Sequence, residues 1–219
     1  MKSIFISKQH VEVPKLADAC RLKGINLITE SFISFEMIPT RMPQHHDVVF
    51  FSSPRSVCFF FELSQDNLFV KDYACMGRGT ESALLEKGKA ASFVGTLSSD
   101  PSQVFRDFKS WLGNRKATIP HAVDSLFSIK QYIDALQLTF LPVYKTIPIH
   151  KVVPPAEVYI FSSPSNAAAF LEKNQVKEFA QVFAWGKSTQ KYLISRGFSV
   201  SKTLTLADEN ELIDILNLC

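Results

Sequence analysis

Val48-Val49-Phe50-Phe51-Ser52-Ser53-Pro54-Arg55-Ser56 returns 110 positions later as Val158-Tyr159-Ile160-Phe161-Ser162-Ser163-Pro164-Ser165-Asn166. Each copy opens on a short β-branched and aromatic run, which suits a strand buried on both faces of a parallel sheet. Each run stops at Ser-Ser-Pro, and a stretch with helical periodicity follows. Ser53 and Ser163 read as helix N-caps. Pro54 and Pro164 then occupy the first helical position, where a missing N–H has no consequence. The unit is strand, turn, helix.

The likeness extends outward from this stretch. Gly77-Arg78-Gly79-Thr80 with Gly88 recurs as Gly186-Lys187-Ser188-Thr189 with Gly197, and the spacing from Gly77 to Gly88 and from Gly186 to Gly197 is 11. Thr80 and Thr189 read as openings of a second helix in each copy, which closes on the glycine. Leu97 and Leu206 continue the register. Ser3-Ile4-Phe5-Ile6 through Ile28 resembles Ala117-Thr118-Ile119-Pro120 through Phe140 more faintly. The order A, B, A′, B′, with strands and helices alternating, predicts an α/β fold of two parallel-sheet domains with helices on both faces. Pro39 to His46 and Ile147 to Pro155 are the candidate connectors, so the chain is expected to cross twice.

Bulk properties narrow the class. A length of 219 residues suits two domains of roughly 100 residues, and 46% hydrophobic with 21% charged residues suits normal cores. The apolar run at Met1–Lys8 is too short for a signal peptide, and no run reaches the roughly 20 residues of a membrane span. A cytoplasmic protein is expected. Cys20, Cys58, Cys75 and Cys219 have neither a C-x-x-C spacing nor a secreted-type framework, so reduced thiols are expected. Adjacent His45-His46 read as a solvated connector rather than a metal site, and no metal or other cofactor is expected. A net charge of +3 is too small for a nucleic-acid footprint. The nineteen phenylalanines read as core.

Four loops, at Ser52-Ser53, Gly77 to Thr80, Ser162-Ser163 and Gly186 to Thr189, would lie at strand C-termini and present helix N-termini. Free N–H groups, the helix dipole and a hydroxyl suit each to a carboxylate or phosphate. Four of them facing one cleft predict a small polyanion, although ordinary caps reused by duplication would look the same. A β-branched residue in place of Gly186 is expected to block backbone approach to the anion and to be barred by the local φ. Tyr144 and Lys145 end a strand-like run and would face either the cleft or solvent. No phosphate-binding, dinucleotide-binding, zinc-protease or serine-hydrolase motif occurs.

Phe51-Ser52-Ser53-Pro54-Arg55, Gly77-x-x-Thr80, Val143-Tyr144-Lys145-Thr146, Phe161-Ser162-Ser163-Pro164-Ser165 and Gly186-x-x-Thr189, in that order, resemble the uroporphyrinogen-III synthase family over nearly the whole chain. The resemblance implies two flavodoxin-like domains, 1–38 plus 157–219 and 47–143, with 39–46 and 144–156 as a two-stranded double-crossover linker. It implies a cyclising hydro-lyase. Hydroxymethylbilane would lose water, ring D would be inverted through a spiro intermediate, and uroporphyrinogen III would form. The substrate carries eight carboxylates. Ser52, Ser53, Gly77, Thr80, Ser162, Ser163, Gly186, Ser188 and Thr189 would hold it, Arg55, Lys187 and Lys8 would add positive charge, and Thr80, Thr189 and Tyr144 are the catalytic candidates. The implied partners are this substrate and, transiently, the deaminase that makes it. A monomer that touches neither nucleic acid nor membrane is implied.

The chain departs from the family pattern in four places. Lys187 stands for the usual proline, Ser7-Lys8 for an arginine after the first strand, and Pro120-His121-Ala122 for a glycine. The connector between Ile147 and Pro155 lacks a tyrosine, a role for which Tyr144 is the candidate. A non-catalytic module that binds a tetrapyrrole or another anion is the alternative on the same fold. A periplasmic-type binding protein would share two lobes and normally carry an export signal.

Overall fold

The computed structural model describes residues 3–64, 68–96, 101–125, 128–206 and 208–218. Leu97 and Cys219, named above, lie outside them. In chain order the elements are β1 (Ser3–Ile6), α1 (Pro14–Leu22), β2 (Asn26–Thr29), β3 (Ile33–Met37), β4 (His45–Phe51), α2 (Pro54–Leu63), β5 (Phe69–Cys75), α3 (Arg78–Glu86) and β6 (Phe93–Val94). They continue as α4 (Pro101–Leu112), β7 (Ala117–Ala122), β8 (Leu138–Pro148), β9 (Val158–Phe161), α5 (Pro164–Leu171), β10 (Gln181–Ala184), α6 (Lys187–Ser195), β11 (Lys202–Thr203) and α7 (Glu209–Ile215). The fold is α/β with parallel-sheet cores. Two compact units result, one of Met1–Ser34 with Ile147–Cys219 and one of Phe35–Thr146.

The discontinuous unit holds a sheet in the order β11-β10-β9-β1-β2, and its pairs are parallel. Its central strands are apolar at successive positions because both faces are covered. Ile4, Ile6, Val158 and Ile160 face Leu16 and Cys20 of α1 and Leu212 of α7. Phe5, Tyr159 and Phe161 face Ala167 and Phe170 of α5 and Leu193 of α6. Phe5 and Phe170 meet at 5.0 Å between ring centroids, and Phe32 packs edge-on to Phe170 at 5.2 Å.

The continuous unit holds the order β3-β8-β7-β4-β5-β6. Val48 and Phe50 face Val104, Phe105 and Phe108 of α4. Val49 and Phe51 face Val57 and Phe60 of α2 and Leu84 of α3. Beside β8, β3 runs in the opposite direction, since Ile38 N–H reaches the Val143 carbonyl at 3.0 Å and Ile149 N–H reaches the Phe32 carbonyl at 2.8 Å. Omitting β3, the two sheets have one order: β6-β5-β4-β7-β8 matches β11-β10-β9-β1-β2. The faint repeat is offset by one residue from its reading in the sequence, because Ala117 lies opposite Val48 where Ile4 lies opposite Val158.

Several local expectations hold. Ser53 and Ser163 are extended N-caps whose hydroxyls accept from Ser56 N–H and Asn166 N–H, with proline next. Gly88 and Gly197 end their helices at φ +69° and +86°, the left-handed region that favours glycine. Others are corrected. The caps of α3 and α6 are Gly77 and Gly186, so Thr80 and Thr189 sit a turn inside, at the third helical position. His45-His46 is not a solvated connector: both residues open β4, and His46 is only 5% exposed with Nδ1 2.8 Å from Thr118 Oγ1. Most phenylalanines do form core, but Phe69 and Phe179 are exposed.

Candidate functional site

In the discontinuous unit β1, β9 and β10 are neighbours and parallel, so Ser7-Lys8, Ser162-Ser163 and Trp185-Gly186 emerge side by side at one sheet edge. This brings Lys8, Ser162, Ser163, Gly186, Lys187, Ser188 and Thr189 together. In the continuous unit β4 and β5 do the same for Ser52, Ser53, Arg55, Gly77 and Thr80. Tyr144 is placed elsewhere in that unit, on β8.

The loops differ in what they offer an anion. At α6 the Gly186 carbonyl takes Gln190 N–H at 3.0 Å, and the N–H groups of Lys187, Ser188 and Thr189 have no partner among the described residues. At α3 the Gly77 carbonyl takes both Thr80 and Glu81 N–H, so Arg78 and Gly79 N–H remain. The Ser-Pro loops offer less, because proline has no N–H and the serine hydroxyl already caps the third residue. A run of unpaired N–H groups at the positive end of a helix is suited to carboxylate. Gly186 itself needs no glycine geometry: it is extended at φ −172°, and a Cβ there would meet nothing within 4 Å. The expectation that a β-branched residue would be barred by φ is therefore corrected.

Thr80 and Thr189 are 5% and 2% exposed, and neither hydroxyl has a partner among the described residues. Lys8 Nζ lies 4.7 Å from the Trp185 ring centroid and 3.8 Å from Glu12, which holds its charge beside the Gly186 loop. Lys187, Ser188 and Ser52 are at the surface. The Arg55 guanidinium stacks 3.4 Å over the Phe35 ring. Tyr144, 8% exposed, packs edge-on to the same Phe35 at 5.8 Å and stacks on Phe59 at 5.0 Å.

The serines of the discontinuous unit belong to a partly buried polar network absent from the sequence reading. Ser162 Oγ donates to the Ser7 carbonyl at 2.6 Å, and Ser162 N–H reaches Ser7 Oγ at 2.7 Å. Asn166 joins both serine hydroxyls to Phe32 N–H. Asn166 against Ser56 in the quoted repeat was the available signal. Cys20, Cys58 and Cys75 are thiols rather than disulfides, and burial pushes Cys75 up to about 11, so it is no nucleophile at neutral pH. Among the described residues no cluster of three or more His, Cys, Asp or Glu could hold a metal ion, and no helix is long and apolar enough to cross a membrane. A cavity of about 590 Å³ lies by the opposite end of β4, against Thr40 to His45, Leu63 and Leu68, away from the loops.

A family model described as uroporphyrinogen-III synthase HemD matches residues 14–213. A search of curated proteins finds no match. Among solved structures the chain is similar to uroporphyrinogen-III synthetase from Helicobacter pylori, at 18% identity and a TM-score of 0.74 over 100% of both chains. It is also similar to a mutant uroporphyrinogen III synthase from Thermus thermophilus, at 12% identity and a TM-score of 0.62, over 100% of this chain and 98% of the other. At these identities the structural likeness is one of fold.

Proposed function

We propose that this chain, which belongs to the uroporphyrinogen-III synthase family, is the lyase that closes hydroxymethylbilane with loss of water and inversion of ring D. The observation that carries the reading is the family match over residues 14–213. The chemistry of the loops agrees with it. Hydroxymethylbilane is a flexible chain with eight carboxylates, and its spontaneous closure gives the wrong isomer. An enzyme that favours the other product must hold ring D folded back so that its substituted carbon is the near-attack position. Binding many carboxylates at fixed points does this without a covalent nucleophile.

In this proposal Lys187, Ser188 and Thr189 N–H take one carboxylate, with Lys8 and Lys187 adding charge. Arg78 and Gly79 N–H take another in the continuous unit, with Arg55 beside Ser52 and Ser53. The hydroxyls of Ser163, Thr80 and Thr189 complete these contacts. Tyr144 has its ring packed edge-on to Phe35 and stacked on Phe59, so its part in the departure of water falls to its hydroxyl alone. The proposal includes two flavodoxin-like domains with β3 and β8 as the double crossover, and a cytoplasmic monomer. It also includes transient contact with the deaminase, which would shorten the free life of an unstable substrate.

The test couples the protein to porphobilinogen and a deaminase and separates the product isomers. With no metal or nucleotide added, product should shift from isomer I to isomer III. An unchanged ratio at high protein concentration would overturn the enzymatic reading in favour of binding without turnover.

A further inference from the structure

Asn166 is the third residue of α5, 5% exposed, and its side-chain oxygen accepts the backbone N–H of Phe32 at 2.8 Å. A backbone N–H can only donate, so this contact decides which end of the amide is oxygen. The amide nitrogen therefore faces the loop between β9 and α5, 3.3 Å from both Ser162 Oγ and Ser163 Oγ. An amide nitrogen can only donate, so both hydroxyls must accept. Ser162 sends its own proton to the Ser7 carbonyl at 2.6 Å. Ser163 Oγ accepts a second hydrogen bond, from Asn166 N–H at 3.2 Å. Both its lone pairs are then engaged, and its proton has no acceptor among the described residues.

We infer that Asn166 is a positioning residue that holds Ser163 as an outward hydrogen-bond donor to a substrate carboxylate. The inference rests on the polycarboxylate substrate proposed above. The continuous unit lacks the device. Ser56 takes the place of Asn166 and Pro120 that of Ser7, and Ser53 Oγ can spend its proton on Ser56 Oγ at 3.4 Å. The two Ser-Pro loops, alike in sequence, are thus unlike in hydrogen-bond polarity.

The test is Asn166→Asp, nearly isosteric, which still accepts from Phe32 N–H but turns an acceptor toward the serines, so their protons point inward. KM should rise and kcat/KM should fall roughly 10- to 100-fold, the range for one hydrogen bond to a charged group. Activity should partly return on acidification, because the introduced carboxyl, once protonated, can donate again. Ser163→Ala should lose a similar factor, and the double variant should be within about twofold of the worse single one. Multiplicative losses, or an acid limb unchanged from wild type, would overturn the inference. If Asn166→Asp fails to fold by thermal melting, Asn166→Ser, the residue the other unit uses, enters the same cycle. Binding of uroporphyrin III, an octacarboxylate, followed by fluorescence quenching, separates the two claims. Wild type that binds it without making isomer III loses the enzymatic reading, and the cycle is then read in Kd. Wild type that does neither loses both.

Discussion

Thr80 and Thr189 hold equivalent places one turn into α3 and α6, buried and with no partner for their hydroxyls among the described residues. Neither oxygen is among the buried unpaired side-chain atoms, which are His46 Nε2 and Thr203 Oγ1 among the described residues, so each hydroxyl keeps access to solvent and gives the fold no hydrogen bond that valine would forfeit. Thr80→Val and Thr189→Val should leave Tm unchanged or raised. Each should lower kcat/KM by roughly 10- to 150-fold, corresponding to about 1.5–3 kcal/mol for a hydrogen bond to a carboxylate. A drop in Tm parallel to the activity would assign the hydroxyls to folding instead. His46 gives a second residue-scale prediction. Burial holds its pKa below the ordinary 6.5, with His45 reinforcing the shift and the Pro43 carbonyl opposing it, though no well-formed hydrogen bond reaches Nε2 from the described residues. Burial shifts His121 on β7 in the same direction. An unfolded chain takes up these protons near pH 6.5 and the folded one only at lower pH. Stability is therefore full above about 6.5 and falls as pH drops below it. Wild-type Tm should fall between pH 7.5 and 5.5, and His46→Gln should flatten that slope. An unaltered slope in His46→Gln would place the titration elsewhere.

Elements were legible where their signals are local. Ser-Ser-Pro states cap and first turn within three residues, and Gly88 and Gly197 state the helix ends, so the strand–loop–helix unit and its recurrence could be read directly. The A and A′ halves were faint because their crossovers differ: β1 reaches β2 through α1, whereas β7 reaches β8 through two short 3-10 turns, Ser128–Gln131 and Ala135–Gln137. His45-His46 misled because a polar pair beside Pro43 looks like a loop, and only the pairing with β5 and Thr118 makes it a strand. The partners of Asn166 were not legible, because Ser7, Phe32 and Ser31, whose hydroxyl donates to Asn166 Oδ1 at 3.4 Å, lie more than a hundred residues away in sequence. Glycines separate by the same logic. A Cβ on Gly95, just past β6, would sit 2.2 Å from the Met76 carbonyl oxygen and 2.6 Å from Val104 Cγ1. Backbone cannot yield as a side-chain tip does, so Gly95→Ala should lower Tm by several degrees, about 1–3 kcal/mol of overpacking. Gly186→Ala, with open space and extended φ, should melt like wild type. Equal melting of the two variants would contradict the packing described for β6.

The matching sheet orders make the discontinuous unit a circular permutation of the continuous one. In the latter, β6 passes through α4 into β7. In the former, β11 passes into α7, and the equivalent of β7 is β1, which comes earlier in the sequence, so the link from α7 to β1 is broken. What holds that break closed is packing: Leu212, Leu216 and Leu218 share a core cluster with Ile4, Ile6 and Leu16, and Glu209 accepts Leu16 N–H at 2.9 Å. The consequence concerns independent folding. Residues 35–146 contain nearly all of one sheet and both of its clusters, so that fragment should fold alone. Residues 147–219 lack β1, which lies between β9 and β2, and with it Ile4, Phe5, Ile6, Val13, Leu16 and Phe32, all fully buried. At about 1.5–3 kcal/mol each, these side chains represent on the order of 10 kcal/mol or more, comparable to the whole stability of a small domain. The fragment 147–219 should therefore show collapsed amide dispersion in a two-dimensional NMR spectrum. Co-expression with 1–34 should restore dispersion, because that peptide supplies β1 and β2, which complete the sheet beside β9, together with α1. A folded 147–219 by itself, or a 35–146 fragment that stays unfolded, would mean that stability is not partitioned by sheet, and the permutation would describe topology without describing energetics.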